Sequence, residues 1–367
     1  MADRDPTAAP AFLWPLILGS QLVASQANAF ARLLLSAGGD SPAAPPRSPW
    51  TTANRVRLAL TTMELRDFSR PGSVAGNAAT PTLICAPFAL HGATIADFAA
   101  GHSLVEVLLA NGCPRLAITD WRSANRDMRL LGLDAYLAEL NVAVDELGPP
   151  VDLVGLCQGG VMALIYAARF PAKVRRLVLA AAPIDVEAAP SLLATAAHGL
   201  PLDVFDGLVR LGEGRVRGQR LIELWAPSLH GDDVWATLQR PPSEAADTHA
   251  LQARFRAWFA ATLDLPGAYY HQTVLWLFKE NRLAAGRLVA LGQTVDLATV
   301  RQPLFLIAAR DDALVAPEQL LAVRRRVGTP APAIEARTVE GGHLGLFMGA
   351  RSLAAAWQPA ARWLAQS

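Results

Sequence analysis

The chain has 367 residues, with 33 Lys and Arg against 32 Asp and Glu and a formal net charge of +1. This length allows one large α/β domain with an insertion, or two domains. Hydrophobic residues make up 52% and charged residues 18%, against about 25% charged in an average domain, which excludes a disordered chain. The near-neutral charge also excludes the basic field expected of a nucleic-acid-binding protein.

The N-terminal fifty residues predict a helix followed by a linker. The apolar stretch Ala11–Ala24 is shorter than the ~20 residues that a spanning helix needs. Asp3 and Asp5 precede it where a signal peptide has basic residues, so we expect neither a transmembrane segment nor a signal peptide. Leu16–Leu35 is interpreted as an amphipathic helix that docks on its own domain, on a partner or on a lipid-like surface. Residues 37–50, rich in Gly, Pro and Ser, are the predicted linker.

Beyond the linker, apolar runs of strand length alternate with helical stretches. In chain order we predict strand Thr82–Ala86, strand Leu116–Thr119, helix Leu133–Leu147, strand Val151–Leu156, helix Gly159–Arg169, strand Val174–Ala181, strand Leu304–Ala309, helix Pro317–Val327, strand Ala333–Val339 and helix Ser352–Ala365. This alternation is typical of an α/β protein with a mostly parallel sheet that helices cover on both faces.

The alternation is interrupted between Pro183 and about Arg301 by helical sequence that carries several tryptophans. We interpret this part as a helical cap inserted into the domain. The predicted organisation is therefore an N-terminal helix and linker at 1–50, core at 51–183, cap at 184–300 and core again at 301–367.

A nucleophile elbow is the strongest local signal in the chain. The sequence Gly155-Leu-Cys157-Gln-Gly159 follows an apolar strand and precedes a helix, which is the setting that this motif requires. A Cβ at either flanking glycine would clash in such a tight turn, and a helix N-terminus favours the thiolate form of Cys157. The alternative is an ordinary glycine-rich turn with a buried cysteine.

An elbow nucleophile needs an acid and a histidine, and these follow it in that order along the chain. Asp312 comes after the strand Leu304–Ala309 with the D-x-x-V spacing that usually carries the acid, and Asp311 is its rival. His343 lies in a glycine-flanked loop after the next strand. The predicted catalytic residues are therefore Cys157, Asp312 and His343.

The oxyanion hole is expected to use backbone N–H groups beside the nucleophile. Gln158 supplies one, and Ala89 or Leu90, in the loop after the strand Thr82–Ala86, supplies the second. His91 in the same loop is expected to shape the loop rather than to transfer protons.

A cysteine nucleophile favours exchange of acyl groups held as thioesters or oxoesters, because a thiolate is both a good nucleophile and a good leaving group. Cys85, within a strand, and Cys113, before Pro114, are expected to be inert. The three cysteines match no zinc or disulfide framework, which favours a reducing cytoplasm, and we expect no metal and no cofactor.

From about Asn54 to the C-terminus the chain resembles the polyhydroxyalkanoate synthase family, in its short single-cap form. The matching pieces are Gly155-Leu-Cys157-Gln-Gly-Gly160, Ala313-Leu-Val315 behind Asp312, and Gly341-Gly-His343-Leu-Gly345, with weaker matches at Thr119-Asp-Trp121 and Gly292-Gln-Thr-Val-Asp296.

The resemblance implies an α/β-hydrolase fold in which Cys157 carries the growing hydroxyacyl chain. It implies that His343 is the base, and that Asp312 orients His343 or assists the incoming hydroxyl. It also implies a hydroxyacyl-CoA thioester as substrate, a second synthase subunit or a homodimer partner, and a cytoplasmic location that can include the polymer granule surface.

Some segments instead resemble the intracellular polyhydroxybutyrate depolymerases, which are also cysteine enzymes. These are Leu90-His91-Gly92-Ala93, Asp120-Trp121-Arg122-Ser123-Ala124, Leu133-Asp134-x-Tyr136 and His343-x-Gly-x-Phe347-x-Gly349-x-Arg351. Those enzymes have Cys-Gln-Pro where this chain has Cys157-Gln158-Gly159. Three interpretations therefore stay open, in order of preference: a synthase, a thiol-dependent hydrolase of the polymer, its oligomers or thioesters, and a catalytically silent granule protein. Arg122, Arg126 and Arg129 either meet the phosphates of CoA or are solvated.

Overall fold

Eight strands form one sheet in the computed structural model, which describes residues 48–70, 72, 79–225, 234–240 and 246–366. The strands are β1 Arg55–Ala59, β2 Met63–Asp67, β3 Thr82–Cys85, β4 Leu116–Trp121, β5 Val151–Leu156, β6 Val174–Ala180, β7 Leu304–Ala309 and β8 Ile334–Val339. Their spatial order is β1-β2-β4-β3-β5-β6-β7-β8. The pairs β1–β2 and β2–β4 are antiparallel, and all the other pairs are parallel. The predicted helix Leu16–Leu35 and nearly all of the predicted linker lie outside the described residues.

The central strands are apolar because helices cover both of their faces. Every residue of β3, β4, β5 and β7 is buried. At the edge of the sheet, β8 has only intermediate and exposed residues. This gradient is what a parallel sheet enclosed by helices requires, and it confirms the predicted fold class.

Helices connect the strands of the core. The core helices are α1 Leu104–Ala110, α2 Leu133–Leu147, α3 Gln158–Arg169, α10 Pro317–Leu321 and α11 His343–Met348. The C-terminal helical segment combines Ala350–Ser352, the π-helical turn Leu353–Trp357 and Gln358–Leu364. Helix α3 is buried along nearly its whole length, so it is the central helix of the fold.

Between β6 and β7 the chain is mainly helical. It contains α4 Leu192–Gly199, α5 Leu202–Leu211, α6 Gly218–Trp225, α7 Val234–Leu238, α8 Ala246–Ala260 and α9 Gly267–Gln272, the last continuing as a π-helix over Thr273–Lys279. Among the described residues, no single helix is long and apolar enough to cross a membrane. The bent pair α4 and α5 passes that test by length and composition alone, with an angle of 96° between the two helices.

Short elements complete the described part of the chain. Two-stranded pairs are Asp97–Ala99 with His102–Ser103, Arg215–Val216 with Leu265–Pro266, and Val289–Ala290 with Gln293–Thr294. The 3-10 turns are Ala93–Ala96, Asp127–Leu130, Pro171–Lys173, Leu297–Thr299, Ala322–Arg325 and Ala331–Ala333.

The predicted strands and helices of the core are present, and one helix was predicted too long. The helix predicted over Pro317–Val327 ends at Leu321 and tightens into a 3-10 turn over Ala322–Arg325. Helix ends often tighten in this way, since i→i+3 bonds satisfy carbonyls that the α-helix leaves free. The antiparallel strands β1 and β2 were not predicted. Strand β1 packs too little apolar surface to produce an alternating pattern, and β2 alternates through only two apolar residues, Met63 and Leu65, because its third buried position is Asp67.

The close approach of α3 to the sheet generates a stability prediction. A Cβ on Gly159 would lie 2.2 Å from the carbonyl oxygen of Cys85 and 2.6 Å from that of Ala86. Because the contacting atoms are backbone atoms that cannot easily move aside, Gly159→Ala should lower the free energy of unfolding by about 3 kcal/mol, near the upper end for overpacking. Denaturant titration followed by circular dichroism measures this loss.

Gly92→Ala is the matched control. Gly92 has a φ of −76°, and its added Cβ would meet nothing within 4 Å, so this change should alter the stability by less than about 1 kcal/mol. Equal stability of the two variants would contradict the tight turn.

Candidate active site

Cys157 occupies a strained turn between β5 and α3. Its φ is 49° and its ψ is −121°, a conformation that side chains rarely adopt. The backbone N–H of Cys157 donates to the carbonyl of Ala180 at 2.8 Å, which ties the turn to β6. A Cβ on Gly155 would lie 2.4 Å from the Cα of Gly160, so these glycines allow the turn to close. The geometry is that of the predicted nucleophile elbow.

Asp312 is buried after β7 and binds three groups. One carboxylate oxygen accepts the backbone N–H groups of Leu314 and Val315, both at 2.9 Å. The other accepts Nδ1 of His343 at 2.7 Å, and the Asp312 side chain is fully buried. The rival Asp311 is exposed and accepts the backbone N–H of Gly341 at 3.2 Å. The structure therefore brings Asp312, and not Asp311, to the histidine.

His343 lies between Asp312 and Cys157 at the start of α11. Its side chain is 9% exposed, hydrogen-bonds Asp312 through Nδ1, and packs edge-on against Phe347. Burial by itself would lower the pKa of His343. The charge of Asp312 and the hydrogen bond to it, with the Cys157 sulfur close by, outweigh burial and raise the pKa of His343 well above its usual value near 6.5. A protonated His343 can therefore stabilise negative charge on the sulfur.

The predicted oxyanion groups border the same space as the sulfur. Ala89, Leu90 and Gln158 all line the cavity above Cys157. Their backbone N–H groups donate to no acceptor within the described residues. The carbonyl of Leu90 accepts the N–H of Leu263 at 2.9 Å, so the loop is held from the side of the cap.

The start of this loop is fixed by residues of the weaker family match, Thr119 to Trp121. The Thr119 hydroxyl accepts the N–H of Ala86 at 3.0 Å, and the Trp121 indole N–H donates to the carbonyl of Ala86 at 2.8 Å. Asp120 forms an ion pair with Arg66 at 2.7 Å. Thr119 and Trp121 therefore hold the start of the loop in place, and the Asp120 pair joins β4 to β2.

The other two cysteines lie in the core. Burial raises the pKa of the Cys85 thiol to about 12 and that of the Cys113 thiol to about 11, so both stay protonated near neutral pH. Cys157 is the only one of the three that is partly exposed.

A cavity of about 210 Å³ opens above Cys157, between the core and the cap. Its walls are mostly apolar and aromatic side chains, from the core loops and from helices of the cap. The lining residues include Leu90, Ile95, Val161, Leu193, Phe205, Leu221, Phe259, Tyr269, Tyr270, Val274, Leu277, Phe278 and Leu344. Such a cavity is suited to an acyl group.

Gln239 of the cap holds the loop that carries His343, a contact that the sequence did not predict. Its side-chain N–H group donates to the carbonyl of Glu340 at 3.1 Å and to the hydroxyl of Ser352 at 2.8 Å. Its side-chain oxygen accepts the N–H of Ser352 at 2.7 Å. A Cβ on Gly341 would lie 2.5 Å from the Gln239 amide nitrogen, so this glycine leaves room for the contact. The glycines around His343 were the one available signal, since they indicate that another group approaches closely.

Two of the three arginines considered for phosphate binding already have acidic partners. Arg122 pairs with Glu64 at 3.2 Å and Arg126 with Glu213 at 2.5 Å. Arg129 donates to the carbonyl of Arg126 at 2.8 Å. In the described part of the chain, no group of three or more His, Cys, Asp and Glu side chains is arranged to hold a metal.

Comparison with known proteins places this chain in a family. A family model for the alpha/beta hydrolase fold matches residues 102–350. Among solved structures, a bromoperoxidase from Bacillus anthracis superposes with a TM-score of 0.51 at 16% identity, over 85% of this chain and 99% of that one, which supports the fold alone.

The relatives found by sequence comparison indicate a more specific family. The poly(3-hydroxyalkanoate) polymerase subunit PhaC of a Synechocystis species is 30% identical over 286 residues, which cover 74% of each chain. The PhaC subunit of Allochromatium vinosum is 26% identical over 276 residues, which cover 73% of this chain and 76% of the relative. The chain therefore belongs to the alpha/beta hydrolase family and, within it, to the family of the poly(3-hydroxyalkanoate) polymerase subunit PhaC.

Proposed function

We propose that this enzyme polymerises (R)-3-hydroxyacyl-CoA through an acyl group bound to Cys157. The observation that carries the proposal is the hydrogen bond from His343 to Asp312, with His343 and Cys157 both lining one mostly apolar cavity. The kinship with PhaC subunits supplies the substrate class. No cofactor takes part in the proposed reaction, since the CoA thioester already carries an activated acyl group.

Acylation is the first step. The Cys157 thiolate attacks the thioester carbonyl carbon, and the N–H groups of Gln158 and of Ala89 or Leu90 donate to the developing oxyanion. The bond to the CoA sulfur then breaks, and the leaving thiolate takes the proton from Nε2 of His343. The products are acyl-Cys157 and free CoA, with His343 left neutral.

Chain growth is the second step. Neutral His343 accepts the proton from the hydroxyl of another hydroxyacyl group while that oxygen attacks the acyl-Cys157 carbonyl carbon. An ester bond forms, the Cys157 thiolate leaves, and the charge pair with protonated His343 is restored. Asp312 supports both steps, because its hydrogen bond to Nδ1 leaves Nε2 facing the reacting atoms.

The same three side chains would also serve a hydrolase, in which water replaces the second hydroxyl. The segments that resemble depolymerases make this the second candidate. Incubation with (R)-3-hydroxybutyryl-CoA, with free CoA and insoluble product measured together, separates the two reactions. Polymer formed in step with CoA release supports the proposal. Release of CoA with only free hydroxybutyrate would assign a hydrolase, and no release at all would favour the silent granule protein.

The first prediction for this site concerns the nucleophile. Cys157→Ala should abolish the acyl-enzyme, because no other partly exposed thiol is present, and Cys157→Ser should keep at most a small residual activity. Intact-protein mass spectrometry after mixing with the thioester detects the acyl group. Cys113→Ala is the control and should acylate normally. An acyl-enzyme in the Cys157→Ala variant would assign the nucleophile to another residue.

The second prediction distinguishes the two adjacent aspartates. Asp312→Asn should lower kcat by about 10³- to 10⁴-fold, because an amide at this position disturbs the tautomer and orientation of His343. Asp311→Asn is the matched control. It should cost less than about tenfold, since Asp311 is exposed and accepts only one backbone N–H at 3.2 Å. Equal losses at saturating substrate would leave the acid unassigned.

The third prediction concerns protonation. Because the pKa of His343 is raised, its ring should stay protonated between about pH 5 and pH 8, the interval in which an unperturbed histidine titrates. In Asp312→Asn the main partner charge is lost, the pKa falls, and His343 should titrate in or below this interval. Ring resonances from two-dimensional NMR of histidine-labelled protein report both states. An unchanged His343 titration in the variant would show that Asp312 does not stabilise the imidazolium.

A further inference from the structure

The short cap helix α7 ends at a residue that is unusual for its backbone conformation. The N–H of Gln239 donates to the carbonyl of Ala236 at 3.2 Å. The next N–H, that of Arg240, donates to the carbonyl of Trp235 at 3.1 Å. These two bonds form a Schellman motif, in which the residue with positive φ is usually glycine. Gln239 takes this position with a φ of 54°, which indicates that its side chain has a use that glycine could not supply.

The buried Gln239 amide uses both of its N–H groups. Gln239 is 8% exposed. Its side-chain nitrogen donates to the carbonyl of Glu340 and to the hydroxyl of Ser352, and its oxygen accepts the N–H of Ser352. A methionine would fill similar space without taking an amide out of water, so the hydrogen bonds are what glutamine adds here.

Three glycines around His343 make room for this amide. Gly341, Gly345 and Gly349 follow one another at intervals of four residues, and His343 lies between the first two. An added Cβ at Gly341 would lie 2.5 Å from the Gln239 side-chain nitrogen, and one at Gly349 would lie 2.5 Å from its Cδ. At Gly345 the added Cβ would lie 3.4 Å from the same nitrogen. The turn before α11 and one side of that helix are therefore shaped around Gln239.

The core holds the far end of α11. Nδ1 of His102 lies 2.8 Å from the carbonyl oxygen of Met348, the last residue of the helix. The Trp357 indole N–H donates to the carbonyl of Leu346 at 2.8 Å. Both contacts lie beyond His343 along the chain, so the turn before His343 is held by other groups.

That turn has contacts on two sides. On the core side, Gly341 and Asp311 exchange hydrogen bonds of 3.1 and 3.2 Å at the surface, where Asp311 is exposed. On the cap side, the Gln239 amide binds the carbonyl of Glu340, three residues before His343. A buried hydrogen bond is stronger than one that competes with water, so the cap supplies the firmer of the two contacts.

We propose that Gln239 positions His343: its amide fixes the backbone from Glu340 to His343 and so keeps the imidazole on Asp312. The inference rests on the proposed function for the role of His343. Gln239 does not line the cavity, so it touches neither the substrate nor the reacting atoms. It is a positioning residue that acts through the backbone of the turn.

Gln239→Met removes the three hydrogen bonds and still fills the space between the glycines, because methionine adapts to such gaps. The imidazole should then leave Asp312 in part of the molecules. With (R)-3-hydroxybutyryl-CoA, kcat should fall by about ten- to a hundredfold, the effect of a small misplacement. KM should change by less than about twofold, since the cavity is untouched. Two-dimensional NMR of histidine-labelled protein should show His343 losing its proton at a lower pH than in the parent protein.

Thr329→Val is the matched control, because it also removes a buried hydrogen bond. Thr329 is 5% exposed, and its hydroxyl donates to the carbonyl of Gln302 at 2.8 Å. Gln302 precedes β7, at the end of the strand opposite to Asp312. This change should lower the stability and leave both the kcat and the titration of His343 as in the parent protein.

Ser352→Ala is a milder variant, which serves if Gln239→Met does not fold. It removes one acceptor of the Gln239 amide and keeps the other two bonds. His343 should again lose its proton at a lower pH than in the parent protein, with a smaller shift than full loss of the amide would cause.

The outcomes are distinct. A lower titration pH of His343 in the Gln239 and Ser352 variants, with no change in Thr329→Val, supports the inference. An unchanged His343 titration in both variants, an equal shift in the control, or the full parent kcat in Gln239→Met would overturn it. If the parent protein releases no CoA from the thioester while the shift is still found, the proposed function fails and the positioning of His343 stands.

Discussion

The rest of the site depends on how closely α3 approaches the sheet. The backbone of Gly159 lies against the carbonyl oxygens that end β3, so a side chain at this position would fill space that these atoms already occupy. This approach forces Cys157 into a conformation that costs about 1 to 3 kcal/mol and persists only where the surroundings determine it. The near-complete burial of α3 and the hydrogen bond from Cys157 to β6 hold Cys157 in this conformation. The sulfur is positioned by the core and not by a loop.

The second requirement is a negatively charged side chain at a position that is shielded from water. A buried carboxylate is tolerated only when its oxygens are satisfied, and Asp312 accepts two backbone N–H groups besides the imidazole. These bonds hold the charge in position before substrate arrives. This fixed anion stabilises the protonated form of the His343 ring and so raises the pKa of His343.

Much of this arrangement could be predicted from local sequence. The central strands are continuous apolar runs, and the successive positions Asp311 and Asp312 point to opposite sides after β7, so spacing alone favoured the buried one. The roles of Cys157, His343 and Asp312 stay predictions, although the structure brings their side chains together. The edge strand β1 was missed because little of its surface is buried, and its neighbour β2 because only two apolar residues, Met63 and Leu65, alternate there before the buried Asp67.

Contacts between segments far apart in the chain could not be predicted from local sequence. Gln239 and Ser352 are separated by 113 positions, and no local pattern links them. Their bonds, with that from Gln239 to Glu340, nevertheless join the end of the short cap helix α7 to the loop that carries His343. A lifting of α7 away from the core would therefore pull on the loop that carries His343. The cap is also bonded to the core through the N–H of Leu263 to the Leu90 carbonyl and the N–H of Asp264 to the Ser123 hydroxyl, so a shift of the cap would be felt both at the His343 loop and at the loop after β3.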